Sequence, residues 1–234
     1  MFSVDPKLHK YFKGFCSSPE IIMMFVYMKC RFSLSYRDLE EMIIMRGLSV
    51  DHATLQRWVR RFAHLIENRI RRKKKPVNGS WRMDETYIKV KGQWKYLYRA
   101  VDKEGNTIDF LLRYRRNKVA AKAFFKKAFK ESGRPDLVNI DKSGSNKSAL
   151  VYINNNLTED QQIKIRQNKY LNNIVEQDHR FIKKRTRPML GFKNFYSAKS
   201  KLAGIESVMM IQKGQLIGTE KNRNSWNAFV QLMA

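Results

Sequence analysis

The sequence predicts an α/β fold with an all-helical segment ahead of it. Three observations point there: apolar residues recur at helical spacing up to about residue 75, strand-like texture begins at Trp81, and a three-strand meander then gives way to alternating helices and strands. Hydrophobic residues make up 43% of the 234, enough for a packed core despite a formal net charge of +26.

The helical block comes first. Pro19 and Glu20 open an apolar helix, and Ser35-Tyr36-Arg37-Asp38 has the form of a capping box for a second helix ending at Gly47. After the turn Gly47-Leu48-Ser49-Val50, a third helix starts near Asp51. Leu55, Trp58, Val59, Phe62, Leu65 and Ile66 form its buried stripe. A short helix, a Gly-containing turn and a longer helix make a helix-turn-helix pattern, which an ordinary αα-hairpin shares. In the helix-turn-helix reading, Asp51, His52, Thr54, Gln56 and Arg57 would enter a major groove. The basic flank (Arg57, Arg60, Arg61, Arg69, Arg71, Arg72) favours that reading. Residues 71–80 read as a basic linker, because like charges repel, Pro76 stops the helix and Asn78-Gly79 favours a turn.

The sheet segment follows. Strands are predicted over Trp81 to Val90, Trp94 to Val101 and Thr107 to Arg113. Trp94, Tyr96 and Tyr98 alternate on one strand face and read as core. A helix capped near Asn117 packs through Phe124, Phe125, Ala128 and Phe129. A short buried strand, Leu137-Val138-Asn139-Ile140, then ends at Asp141. Polar, helix-prone sequence continues to about Gln167, a short strand is expected around Tyr170-Leu171, and a basic helix runs to about Thr186, limited by Pro188. Ser197 is the expected cap of a last long helix through Met210. The expected organisation is a helical segment with the helix-turn-helix at 1–75, the end of the linker at 76–80, an α/β segment at 81–215 and a tail at 216–234.

Charge narrows the partners. Lys and Arg total 47 against 21 Asp and Glu, a balance that attracts phosphate backbones and makes binding salt-dependent. The longest apolar run, eight residues from Ile21, falls far short of the ~20 needed to span a bilayer, and no signal-peptide pattern is legible. Cys16 and Cys30 form no metal or disulfide pattern, which fits a reducing cytoplasm. The four histidines lack zinc spacing, the serines lack a nucleophile constellation, and no Gly-rich phosphate loop implies a nucleotide cofactor.

Three carboxylates carry the chemistry: Asp84 inside a strand, Asp141 ending another, and Glu176 on the basic helix, with 34 residues between the last two. Spaced acids in a strongly basic chain suggest a divalent-metal site held against a polyanion. Each acid also has a structural explanation. Asp84 can pair with Arg82 on the same strand face, Asp141 can start a turn, and Glu176 can pair with Arg180 at i,i+4 for only ~0.3–0.5 kcal/mol. Yet Asp is disfavoured in strands, so Asp84 needs a reason. Alternation puts Glu85 on the strand face opposite Asp84, and Asp178 lies about 200° around the helix from Glu176. His179, near Glu176, reads as a helix-surface residue or one that supports the site.

The Asp84, Asp141, Glu176 spacing, with Lys183 seven positions after Glu176, resembles the DDE transposases and retroviral-type integrases. More closely, several stretches resemble the insertion-sequence-six family of bacterial transposases. They are residues 35–40 (Ser35 to Glu40), Val50-Asp51-His52, Arg57-Trp58-Val59, residues 81–87 (Trp81 to Tyr87), residues 169–173 (Lys169 to Asn173) and Glu176-Gln177-Asp178-His179-Arg180. The match covers about residues 20 to 215. The resemblance implies an RNase H-like mixed-sheet core with Asp84, Asp141 and Glu176 as catalytic metal ligands. It implies Mg²⁺, or Mn²⁺ in its place, with two ions supporting attack of a 3′-hydroxyl on target DNA. It further implies that Lys183, with Lys142, neutralises DNA phosphates near the metals. With His52, Thr54, Gln56 and Arg57 of the helix-turn-helix reading and Arg180 and Lys184 on the cationic side of the Glu176 helix, these are the expected contacts to DNA, the element's terminal inverted repeats and the target among it. Holding two ends together implies a homodimer or higher homo-oligomer, working in the bacterial cytoplasm at the nucleoid by a cointegrate-forming route. The segment Ser143-Gly144-Ser145-Asn146 departs from the Ala-Pro-type sequence of many relatives, which bears on Lys142 and not on the metal ligands. A DNA-binding regulator without catalysis and an RNase H-type nuclease using water remain as alternatives.

Overall fold

The computed structural model describes residues 2–142, 144–168, 170–189, 191–220 and 224–234. Ser143 and Lys169, both within stretches singled out above, lie outside the described residues. Along the chain the helices and strands are α1 (Pro19–Arg31), α2 (Tyr36–Ile44), α3 (His52–Lys73), β1 (Ser80–Val90), β2 (Gln93–Asp102), β3 (Thr107–Arg113), α4 (Lys118–Ser132), β4 (Leu137–Ile140), α5 (Gly144–Asn154), β5 (Lys164–Gln167), α6 (Asn173–Thr186), α7 (Phe195–Gln212) and α8 (Ser225–Met233). Two compact units result. One joins residues 1–75 to residues 184–234, and the other spans Pro76–Lys183. Among the described residues, no helix is long and apolar enough to cross a membrane.

In the helical unit, local chemistry sets the helix starts. Ser18 and Asp51 accept backbone N–H bonds at the heads of α1 and α3. Ser35 and Asp38 form the complete capping box of α2: the Ser35 side chain accepts from the Asp38 N–H, and the Asp38 carboxylate accepts from the Ser35 N–H. The stripe on α3 is buried as predicted except at Leu65, which is half-buried. Helix α7 is buried around nearly its whole circumference, from Ala198 to Ile211, as expected of a central helix packed on α1 and α3. Gly204 allows that approach, because a Cβ there would run into the Cys30 Sγ and crowd the Ala63 side chain.

Three details of this unit differ from expectation. The α7 cap is Asn194, whose side chain accepts from the Ser197 N–H; an Asn at the cap leaves Ser197 as the third helical residue. Helix α8 forms within the expected tail, capped by Asn224 and packed through Phe229 and Leu232. The basic run is not a free linker at Lys75: its N–H donates to the Gln215 carbonyl and its ammonium to the Gly214 and Thr219 carbonyls.

The second unit is built on a five-stranded mixed sheet ordered β3-β2-β1-β4-β5. The first three strands form an antiparallel meander, and β4 and β5 join in parallel. This is the α/β, RNase H-like arrangement that the resemblance implied. One face of the sheet presents Trp81, Met83, Tyr98, Ala100, Ile108, Val138 and Ile140 to Phe124, Phe125 and Ala128 of α4 and to Ala149 and Leu150 of α5. Core alternation holds for Tyr98 but fails at the far end of β2, where Trp94 is 58% exposed. The strand expected at Tyr170-Leu171 is a 3₁₀ turn, and the fifth strand is the polar edge segment 164–167.

Candidate active site

The length of β4 creates the site. Strand β4 has only four residues, and its ladder with β1 covers Ser80 to Arg82 alone. Beyond Arg82, no strand pairs with β1 on that side in the described register. Asp141 follows directly at the end of β4, level with that open edge. Both Asp84 and Glu85 reach it: Asp84, Glu85 and Asp141 each offer a carboxylate oxygen, all within 4.8 Å of one another. Strand alternation had separated Glu85 from Asp84. The register keeps them on opposite faces, Asp84 opposite Arg99 and Glu85 opposite Tyr98, but at an edge without a partner strand their carboxylate oxygens still come together.

Arg116, in the loop between β3 and α4, sits among these acids. Its Nη2 donates to Glu85 Oε2 at 3.3 Å and to Asp141 Oδ2 at 3.1 Å. Burial, reinforced by the Glu85 and Asp141 carboxylates, pushes the Asp84 carboxyl up to about 7, although the Glu85 N–H and Arg116 pull the other way. Burial also raises Glu85, against the opposing pull of Arg116. Asp84 is thus a strand carboxylate crowded by like charge in a poorly solvated place. The i,i+2 partner considered for it, Arg82, instead donates to the Ser80 carbonyl.

Helix α6 covers the Asp84 face of the sheet. A chain of buried amides fixes where it starts: Asn139 Nδ2 donates to Asn172 Oδ1 at 2.7 Å and to the Asn168 carbonyl, and Asn172 Nδ2 donates to the Met83 carbonyl. Asp178 pairs at 3.1 Å with Arg99, which lies opposite Asp84 in the β1–β2 register. The next residue, His179, is buried with Nδ1 3.7 Å from Asp84 Oδ2. Burial, with Arg99 and Lys183 adding to it, pushes that imidazole down to about 3, so it is neutral at pH 7 and gives Asp84 no counter-charge.

Glu176 stands in the first turn of α6, exposed, and is not among the three clustered acids. It is three residues before His179 and therefore on the same side of the helix. Of the expected DNA contacts near these acids, Lys142 and Arg180 are exposed and Lys183 is half-buried on α6; Lys184 belongs to the helical unit. On α3, His52, Gln56 and Arg57 are exposed and Thr54 is half-exposed. Arg57 Nη2 donates to Thr54 Oγ1 at 2.6 Å, and Thr54 Oγ1 in turn donates to Asp51 Oδ2. His52 Nδ1 lies 3.1 Å from Glu40 Oε2. Sequence reasoning did not find Arg116, Asn146 or the role of Glu85, since none of them stands in a recognisable spacing.

The clustered donors are carboxylate oxygens only, a set that suits Mg²⁺ or Mn²⁺. Asp84, Glu85 and Asp141, whose oxygens lie within 4.8 Å of one another, are the residues that would hold such an ion. Oxygen-only acids gathered at the open edge of a central strand and the end of its neighbour, in a chain of net charge +26, point to a class, the metal-dependent enzymes acting on nucleic-acid phosphates.

Comparison with known proteins gives the family. A DDE domain model of the IS240 transposase type matches residues 78–215, and a model of the transposase IS66 family matches residues 14–134. The transposase for insertion sequence-like element IS431mec of Staphylococcus aureus is 38% identical over 221 residues, 92% of this chain and 91% of its own length. The transposase for insertion sequence element IS257 in transposon Tn4003, also from Staphylococcus aureus, matches at the same identity and coverage. Among solved structures, the HTLV-2 integrase catalytic core domain in complex with magnesium superposes with a TM-score of 0.46 at 15% identity, over 66% of this chain and 97% of that one. This chain belongs to the insertion-sequence-six family of bacterial DDE transposases. It is a metal-dependent polynucleotidyl transferase of DNA transposition.

Proposed function

We propose that Asp84, Asp141 and Glu176 are the catalytic acids of this transposase, and that they hold two Mg²⁺ ions, replaceable by Mn²⁺, while a DNA 3′-hydroxyl attacks target DNA. The observation that carries the reading is the convergence of Asp84 and Asp141, 57 positions apart in sequence, at the open edge of β1. Divalent ions bound there supply Lewis-acid stabilisation of the attacking and leaving oxygens.

The chain's own residues have distinct tasks. Asp84 and Asp141 offer ligand oxygens from a rigid sheet, and burial of Asp84 makes its ionised form seek a cation. Neutral His179 packs beside Asp84 without competing for it as a charged partner would. Glu176 adds the third acid from α6. Lys142, Arg180 and Lys183 neutralise strand phosphates near the acids, and Lys184 does so from the adjoining turn. His52, Thr54, Gln56 and Arg57, at the exposed N-terminal end of α3, read the terminal inverted repeats. In functional terms residues 1–75 bind element ends, the sheet-bearing segment within 81–215 does chemistry, and residues 216–234 form a C-terminal appendage. Two ends are held by a homodimer or larger homo-oligomer, working at the bacterial nucleoid.

The test uses labelled duplex carrying the element's end, a target plasmid, and the protein with and without Mg²⁺. Metal-dependent joined products are expected. Nicked DNA without joining would point to a hydrolase, and salt-sensitive binding without chemistry to a regulator.

A further inference from the structure

We propose that Glu85 is a fourth acid of the reaction centre, a ligand of the divalent ion shared by Asp84 and Asp141, with Arg116 filling the ion's place when the site is empty. The inference rests on the metal-dependent reading of this site and extends it to residues outside the Asp84, Asp141, Glu176 set.

Glu85 is the best buried of the three clustered carboxylates, its side chain only 3% exposed. Its Oε2 faces Arg116, but its Oε1 is buried without a hydrogen-bond partner. Buried carboxylate oxygens are ordinarily satisfied, because leaving one without a donor or cation forfeits its solvation. A second buried group points the same way. Asn146, fully buried near the start of α5, is close enough to the Glu85 carboxylate to favour its charged form, yet the pair falls short of hydrogen-bonding geometry and neither carboxamide atom finds another partner. The fold therefore holds a poorly matched carboxylate oxygen within the acid cluster, where a cation would match it.

Charge agrees with that count. Asp84, Glu85 and Asp141 carry three formal negative charges, and the Arg116 guanidinium offsets one. A divalent ion in the place of Arg116 would offset two of the three. Arg116 bridges two of the three acids from a loop, and its side chain is one-third exposed, so it can withdraw towards solvent or a DNA phosphate without disturbing the sheet. A purely structural Glu85–Arg116 pair would leave Glu85 Oε1 with only the poorly aligned Asn146 carboxamide for company.

The experiment is a titration of the full-length protein with Mn²⁺ alone, read by the electron paramagnetic resonance of free Mn²⁺, with folding checked by circular dichroism. Wild type is compared with Asp141→Asn, Glu85→Gln, Glu85→Asp and Arg116→Gln. Both Glu85 variants are expected to bind at least tenfold more weakly, and Arg116→Gln at least threefold more tightly. Glu85→Asp keeps the charge and withdraws the oxygen, so wild-type affinity in that variant would overturn the inference by making Glu85 a mere neighbouring charge. If Glu85→Gln fails to fold, Glu85→Asp alone decides. Loss of binding in Asp141→Asn with no loss in either Glu85 variant would leave the metal site standing and remove Glu85 from it. No saturable binding by the wild type would overturn the metal reading itself.

Discussion

Two charges, one in each unit, one buried and one half-buried, have their ionisation moved to about pH 7 by desolvation, from opposite directions. Lys201 of α7 is pushed down to about 7 and Asp84 of β1 up to about 7. The ammonium of Lys201 donates to the Lys29 carbonyl at 2.8 Å, in the last turn of α1, and lies 5.6 Å from the centre of the Tyr36 ring. Packing and capping explain it. Asp84 faces two more carboxylates and a neutral histidine, and nothing in the fold's own stability calls for that. The same desolvation thus serves structure where a partner is present and function where one is withheld.

The contrast can be broken most sharply by neutralising each charge. Asp84→Asn is expected to lower strand transfer at least ~1,000-fold while leaving DNA binding within about twofold, whereas Lys201→Met should retain most activity. A gel-based joining assay beside a filter-binding measurement separates the two.

Stability against pH should then move in opposite directions. The Asp84 carboxyl is raised on folding, so the metal-free folded state holds the extra proton between about pH 4 and 7, and stability falls as pH rises through that window. Lys201 is lowered on folding, so the unfolded state holds the extra proton between about pH 7 and 10, and its contribution rises with pH there. Asp84→Asn should therefore stabilise the metal-free protein by about 1–3 kcal/mol at pH 8 and by little at pH 4, as read by denaturant midpoints. Added Mn²⁺ should erase most of that advantage by stabilising the wild type.

A smaller effect is expected at the exposed end of α3. There no single cation is buried, and phosphate contacts are interchangeable. Arg57→Ala should weaken binding to an element-end duplex about tenfold and reduce the slope of log affinity against log salt by about 1. Smallest of all, Ser35→Ala should cost about 1 kcal/mol by removing the capping box of α2.

Legibility in the sequence followed how local each signal was. The caps at Ser35 and Asp51, the α3 stripe and the β1–β3 meander each rest on a few adjacent residues, and they stand where periodicity put them. β5 was missed because Lys164-Ile165-Arg166-Gln167 is a polar edge strand with almost no apolar alternation. Asp84 and Asp141 were legible from spacing and resemblance. Glu85 was set aside because alternation puts it on the face opposite Asp84, which the register bears out; what the sequence did not show is that β4 stops too early to keep the two carboxylates apart at the edge. Arg116 had no sequence signature, since its role exists only once two distant acids meet beside its loop.

The measurement that bears most directly on the central claim is strand transfer by Glu176→Gln, assayed with element-end duplex, target plasmid and Mg²⁺ beside the wild type. The account predicts that joined products disappear while binding to the element end persists. Joining at wild-type rate would contradict it, leaving the acids of the sheet to act without α6.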